Sequence, residues 1–207
     1  MDSGLGYVNP VVDGILSDGE YNYFVTFSNE SHPGLAAEIY AGWDYNYLYI
    51  AGVVADADIE ERFDDPFLND GITIRIDGNS DGFMQGNDNI VVVVNPAYAG
   101  TALEVRAAAR DEAGLPDWNI VNDGSFLRSI NKTNISYTFE IGIPSDSARG
   151  ILNKEGDSAG LNLSIMDFRP DQWEWHPFDI ISGEREPVMN FIDIRFIKGD
   201  AALSLSR

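Results

Sequence analysis

The chain has no cysteine, so neither a disulfide nor thiolate chemistry is open to it. Cationic side chains are scarce as well. Thirteen Lys and Arg face 34 Asp and Glu, which leaves a formal net charge of −21 over 207 residues. A surface of that sign repels nucleic acid and anionic lipid, and it favours bound divalent cations. Only two histidines exist, His32 and His176, and neither stands in a nucleophile motif. There is no GxSxG, HExxH or phosphate-cradling glycine loop, so the chain is not expected to be an enzyme. Acids are common enough that a glycosidase-like pair could be drawn almost anywhere, but that abundance is composition rather than a site. No apolar run approaches the ~20 residues of a spanning helix, which argues against membrane insertion. No secretory leader precedes Asp2, and a polar start directly after Met1 is expected of a domain excised from a longer protein. No linker, internal repeat or low-complexity tract divides the chain. Residues 1–207 are expected to form one domain, with its core from about 11 to 198.

What is present is a series of short apolar runs parted by Gly, Asn and Asp. The clearest hairpin joins 36–43 to 47–54 across Asp44-Tyr45-Asn46, with Tyr47, Tyr49 and Ala51 on one face and Leu48, Ile50 and Gly52 on the other. A second joins 126–130 to 135–143 and ends at Pro144. Further strands are expected at 24–27, 72–77, 103–109, 161–168 and 191–197, with 90–94 covered on both faces because it is apolar throughout. Residues 1–10 read as an opening segment, 111–123 as a loop, 145–152 as holding a helical turn, 169–181 as an aromatic loop and 198–207 as a tail. The pattern is all-β, a two-sheet antiparallel β-sandwich of jelly-roll type.

The segment from Asn69 to Asp88, NDGITIRIDGNSDGFMQGND, joins a strand to a metal-type loop. Asp77, Asn79 and Asp81 stand at positions one, three and five, Gly82 at six, Phe83 at seven and Asp88 at twelve. That is the oxygen-ligand spacing of a calcium loop, in which Phe83 would lend its carbonyl. Position twelve is the shorter Asp rather than Glu, so a weaker Ca2+ site is expected. Strand-like flanks point to a calcium-bearing β-hairpin rather than a helix-loop-helix. The plainer alternative is an Asn/Asp/Gly turn that binds nothing.

Three segments together resemble the family 9 carbohydrate-binding modules and their wider DOMON-like relatives. VDGILSDGEY is similar to the family's xDGxxxxxEW opening, with Tyr21 where Trp is usual. AEIYAGWDYNYLYIAGVVAD is similar to the family's first hairpin, and DDPFLNDGITIRIDGNSDG to its acidic strand and loop. The resemblance runs from about Val11 to Lys198. It implies a two-sheet antiparallel sandwich, bound calcium, sugar held between aromatic rings, and a place beside hydrolase or surface-anchoring domains in a larger protein.

Pyranose C–H faces are apolar and stack on flat rings while amides and carboxylates take the hydroxyls. Trp173 and Trp175, set among Asp171, Gln172, Glu174 and His176, are the candidate platform; the alternative is that they plug the end of the core. Phe67 is a candidate opposite wall, though a poorer platform than Trp and equally suited to core packing; Trp118 is a weaker candidate, whereas Trp43 reads as core. Asp70 has three open roles: turn cap, calcium ligand or sugar-hydroxyl acceptor. Asp13, Asp18, Glu20, Asp56 and Asp58 could supply a second cation site, though solvated turn acids explain them more simply. The expected function is a non-catalytic, calcium-stabilised carbohydrate-binding module, secreted or at the cell surface. Four Asn-x-Ser/Thr sequons, at Asn29, Asn131, Asn134 and Asn162, add little to that location. The alternatives are a haem-binding electron-transfer domain, with Met84, Met166, Met189, His176 or Lys198 as ligands, and an adhesive sandwich without ligand.

Overall fold

The computed structural model describes residues 3–30, 32–60, 69–81, 88–96, 104–110, 116–117, 125–147, 151–169, 174–181 and 191–198; for 104–110, 116–117 and 174–181 the description is of the backbone. Among these residues the chain forms β1 (Ser3–Gly6), β2 (Asn22–Ser28), β3 (Ala36–Trp43), β4 (Tyr47–Ala55), β5 (Gly71–Asp77), β6 (Asn89–Asn95) and β7 (Glu104–Arg110). β8 (Pro116–Asp117), β9 (Leu127–Lys132), β10 (Ser136–Pro144), β11 (Ser158–Arg169), β12 (Glu174–Ile181) and β13 (Ile192–Ile197) follow. A five-stranded sheet has the order β2-β3-β4-β10-β9. An eight-stranded sheet has the order β1-β13-β11-β5-β6-β7-β8, with β12 also paired to β11. No helix among the described residues is long and apolar enough to cross a membrane.

The period-two alternation of each strand builds the core. In the small sheet Ile39, Ile50, Phe139 and Ile141 point inward; in the large sheet Ile72, Ile74, Ile76, Leu161, Leu163 and Ile165 meet them in one buried cluster. β6 is apolar throughout because both of its faces are covered. Ile90, Val92 and Val94 join the main core, while Val91 and Val93 form a second cluster with Phe191 on the outer face. On that face Arg75 donates from Nη1 to Asn162 Oδ1 and Ser164 Oγ, both at 2.9 Å. Asn162 is thus a buried hydrogen-bond partner rather than an exposed glycosylation acceptor.

Two expectations are revised. The opening segment contains a strand, and β1 runs parallel to β13, with Leu5 opposite Phe196, so the sandwich is not wholly antiparallel. Trp43 explains the placement: its fully buried indole donates to the carbonyls of Leu5 at 2.8 Å and Ile197 at 3.1 Å, clasping the first and last strands together. The stretch 169–181 is not a loop along its length. Residues 174–181 form β12, antiparallel to β11 from Leu163 to Arg169. Pro177 sits in this strand opposite Met166, which is tolerated because β12 pairs on one side alone among the described residues and a missing N–H can face outward. Around 145–152, where a helical turn is expected, Ser147 is in 3-10 conformation, and Asp146 and Ile151 on either side make a β-bridge, their backbones bonded both ways at 2.8 and 3.0 Å.

The segment before β2 folds over the outer face of the small sheet and is held by one carboxylate. Glu140, fully buried on β10, accepts hydrogen bonds from the backbone N–H groups of Asp13, at 3.0 Å, and Gly14, and from the Tyr21 hydroxyl at 2.7 Å. Gly14 has φ 90°, and a side chain there would strike Ser129 Oγ, so glycine is required for this approach. Glu140→Ala would leave three donors without their acceptor, and it is expected to lower unfolding free energy by about 2–4 kcal/mol in urea titrations. Burial pushes the Glu140 carboxyl above the usual glutamate range. Between the titration of the unfolded chain and that of the folded one, the folded state holds a proton that the unfolded chain has released. The contribution of Glu140 to stability should fall as pH rises through that window, and Glu140→Gln should flatten the difference.

Candidate functional site

Two acidic clusters lie at opposite ends of β5. Asp70 precedes the strand and Asp77 ends it, so the clusters stand about 20 Å apart at the strand rise per residue. At the far end, one carboxylate oxygen from each of Asp77, Asp81 and Asp88 lies within 4.8 Å of the other two. The loop is shaped by its own short polar side chains. Gly78 N donates to Asp88 O at 2.7 Å and Ser80 N to Asp77 O at 3.3 Å. Ser80 takes φ 58°, and Asn79 Oδ1 accepts from Asp81 N at 2.9 Å. The Ser80 hydroxyl reaches Asp193 Oδ1 at 2.6 Å, tying the loop to β13. Asp77 is fully buried, and Asp88 Oδ2 is a buried oxygen with no hydrogen bond among the described residues. Burial, and then the charge of Asp81, raises the Asp88 carboxyl above its usual range. Converging carboxylates with an unsatisfied buried oxygen are a donor set that fits a hard divalent cation. Asn79 spends one lone pair on the loop itself, and Phe83 lies outside the described residues.

At the near end, three inward rows of alternate residues finish in acids. Ile50 and Val54 on β4 lead to Asp56; Ile76, Ile74 and Ile72 on β5 lead back to Asp70; Leu161, Leu163 and Ile165 on β11 lead to Asp167. All three residues are buried, and one carboxylate oxygen from each lies within 4.8 Å of the other two. Asp70 accepts from Phe168 N at 2.6 Å through Oδ1 and from Glu60 N at 2.5 Å through Oδ2. Its carbonyl accepts from Asn95 Nδ2 at 3.0 Å. Burial, with the charges of Asp56 and Asp167 adding to it, pushes Asp70 up to about 8 against those two backbone hydrogen bonds. Beside this cluster opens a cavity of about 220 Å³ lined by Pro33, Leu35, Asp56, Asp58, Asp167 and Phe168, among others. β12 enters the same region, with Trp175 opposite Phe168 and His176 opposite Asp167.

Of the aromatic candidates, Trp175 therefore lies on β12 at the cavity end; Trp173, Phe67 and Trp118 lie outside the described residues. Trp43 is core. The five acids considered for a second cation site are dispersed. Glu20 accepts from Val11 N and Ser17 N at 2.8 and 2.9 Å, Asp13 Oδ1 accepts from Ile15 N, and Asp56 joins Asp70 and Asp167 instead. Asp167 was not legible as a site residue, because in sequence it is one polar residue ending an apolar strand. Met166 is buried in β11, whereas Lys198 is exposed beside Tyr45, following β13.

A family model described as carbohydrate family 9 binding domain-like matches residues 12–176. Among solved structures, a carbohydrate-binding module of family 9 from Caldicellulosiruptor kristjanssonii in complex with cellotriose superposes with a TM-score of 0.69 at 16% identity, covering 100% of both chains. The glucose complex of a family 9 module from that organism gives 0.68 at 15% identity over 97% of each chain. A structure from Bacteroides uniformis gives 0.56 at 13% identity, covering 94% of this chain and 99% of its own. No curated protein matches the sequence.

The hinge between Asp70 and β5 is sterically tight. A side chain at Gly71 would collide with the backbone carbonyl of Val94 across the β5–β6 ladder. Gly71→Ala is expected to destabilise the fold by about 1–3 kcal/mol in denaturant titration, because strand pairing must open to admit the methyl group.

Proposed function

We propose a ligand and a binding position for this chain, which belongs to the carbohydrate family 9 binding domain-like family of non-catalytic carbohydrate-binding modules. The ligand is a glucose-containing oligosaccharide, and it binds at the β12 end of the sandwich. The observation that carries this position is the pairing of β12 with β11, which sets Trp175 opposite Phe168 at the rim of the cavity. Two solved family 9 modules of the same fold hold cellotriose and glucose. Trp173 and Trp175 supply flat faces for the sugar ring, with Phe67 as opposite wall, and Asp171, Gln172, Glu174 and His176 are near in sequence to take hydroxyls.

Calcium belongs to this reading as a structural ion rather than a reactant. Asp77, Asp81 and Asp88, with Asn79 and the Phe83 carbonyl, would hold it and pin the β5–β6 hairpin. The acidic surface and the absence of cysteine are compatible with a secreted or cell-surface module within a larger polysaccharide-directed protein.

Calorimetric titration with cellotriose tests the sugar site. Trp175→Ala and Trp173→Ala are each expected to weaken binding by about tenfold or more, since base-free ring stacking of this kind supplies much of the affinity, while Tm stays near wild type. A Trp that instead plugs the core would lose about 3–5 kcal/mol of stability on truncation, with or without sugar. Unchanged affinity in the double variant would sink the assignment. Calcium at 100 times its Kd should add about 2.7 kcal/mol to folding stability, and Asp77→Ala should remove most of that gain. A Tm that does not respond to calcium after thorough chelation and reloading would leave the loop an ordinary turn.

A further inference from the structure

We propose that the outer face of the small sheet docks an extended, lysine- or arginine-rich segment of a partner protein, anchored by Tyr23, Tyr40 and Glu38. Every Lys and Arg of the chain lies at or beyond Arg62, so the opening segment and β2, β3 and β4 carry acids without one cationic side chain. Strand register continues this one-sided charge across the sheet. One outward row runs from Tyr23 through Tyr40 and Ala51 to Glu140; the next runs from Thr26 through Glu38, Val53 and Thr138 to Asn131. Neither row includes a Lys or Arg. The opening segment, held on Glu140 at Asp13, Gly14 and Tyr21, borders these rows with two exposed acids, Asp13 and Asp18. The partner whose charge complements such a face is cationic.

The ring pair supplies the anchor. Tyr23 is 51% exposed, and its ring meets that of Tyr40 edge-on, with centroids 6.2 Å apart and planes at 83°. The Tyr23 hydroxyl pairs with Thr26 Oγ1 at 2.8 Å, and the Tyr40 hydroxyl donates to Glu38 Oε2 at 3.0 Å. Those bonds fix both rings without using their faces, and they hold a carboxylate beside them. A ring face attracts an ammonium or guanidinium group, and a neighbouring carboxylate adds a charge-assisted hydrogen bond. Next to Glu38, Val53 is 37% exposed and gives the aliphatic stem of a Lys or Arg an apolar surface to lie on. The row from Thr26 to Asn131 crosses all five strands of the small sheet. At the usual spacing between strands that is about 19 Å, the length of about six extended residues. The face uses none of the residues assigned to sugar, and β11 and β12 belong to the other sheet.

Fluorescence anisotropy of a labelled hexalysine peptide with the full chain tests the site, at ~50 mM salt so that surface charges are little screened. Tyr23→Ala and Glu38→Gln should each weaken binding about fivefold. Charge reversal in Glu38→Lys should weaken it about tenfold or more. Glu155→Gln removes the same charge from an exposed turn before β11, and it should change affinity by less than about twofold. Cellotriose affinity should be the same in all four variants, so this face and the sugar position succeed or fail separately. Equal losses in Glu38→Gln and Glu155→Gln would mean diffuse attraction to an acidic protein and would overturn the proposal. Unchanged affinity in Tyr23→Ala would overturn it as well. Binding of a β-1,4-linked glucosamine hexamer without binding of hexalysine would give the face to a glycan instead. Should Tyr23→Ala not fold, the contrast between Glu38→Gln and Glu155→Gln decides alone, since both acids are exposed.

Discussion

The meeting of two sets of inward-pointing side chains is the contact on which the molecule depends. Strands β3, β4 and β10 offer Ile39, Ile50, Phe139 and Ile141; β5, β6 and β11 offer Ile72, Ile74, Val92, Leu161 and Leu163. Neither sheet can bury its apolar face without the other, since with no disulfide available hydrophobic burial must supply most of the stability. Both acidic clusters are attached to the ends of these rows. The rows set the position of each end because a strand rises by a constant amount per residue and its faces alternate.

The acids are distributed in keeping with that frame. Glu140 holds the opening segment against the outer face of the small sheet, through two backbone N–H groups and a phenol. Asp77, Asp81 and Asp88 gather at one end of β5, and Asp56, Asp70 and Asp167 at the other. A chain with a formal charge of −21 folds against its own repulsion, and bound cations are the direct way to lower it.

Sugar recognition asks for rigid aromatic faces and polar groups held at fixed angles. An aromatic-rich loop free in solution would lose conformational entropy on binding. On the binding position proposed above, β12 would reduce that loss, because its ladder with β11 already holds the backbone around Trp175. Pro177 in β12 lacks an N–H and so discourages another strand from pairing along that stretch.

Local chemistry in the sequence was sufficient for the hairpins of β3–β4 and β9–β10, for β6 as a strand covered on both faces, and for the spacing of Asp77, Asn79, Asp81 and Asp88. These features depend on neighbours a few residues away: turn residues, alternation and ligand spacing. The parallel docking of β1 on β13 depended instead on the Trp43 indole reaching carbonyls at both ends of the chain. β12 became a strand because β11 is long enough to pair with β13 along one half and with β12 along the other. Asp56, Asp70 and Asp167 are far apart in the chain and share no motif. Each is only the polar end of an apolar row, and that three such ends meet was decided by strand order and register, which no local pattern encodes.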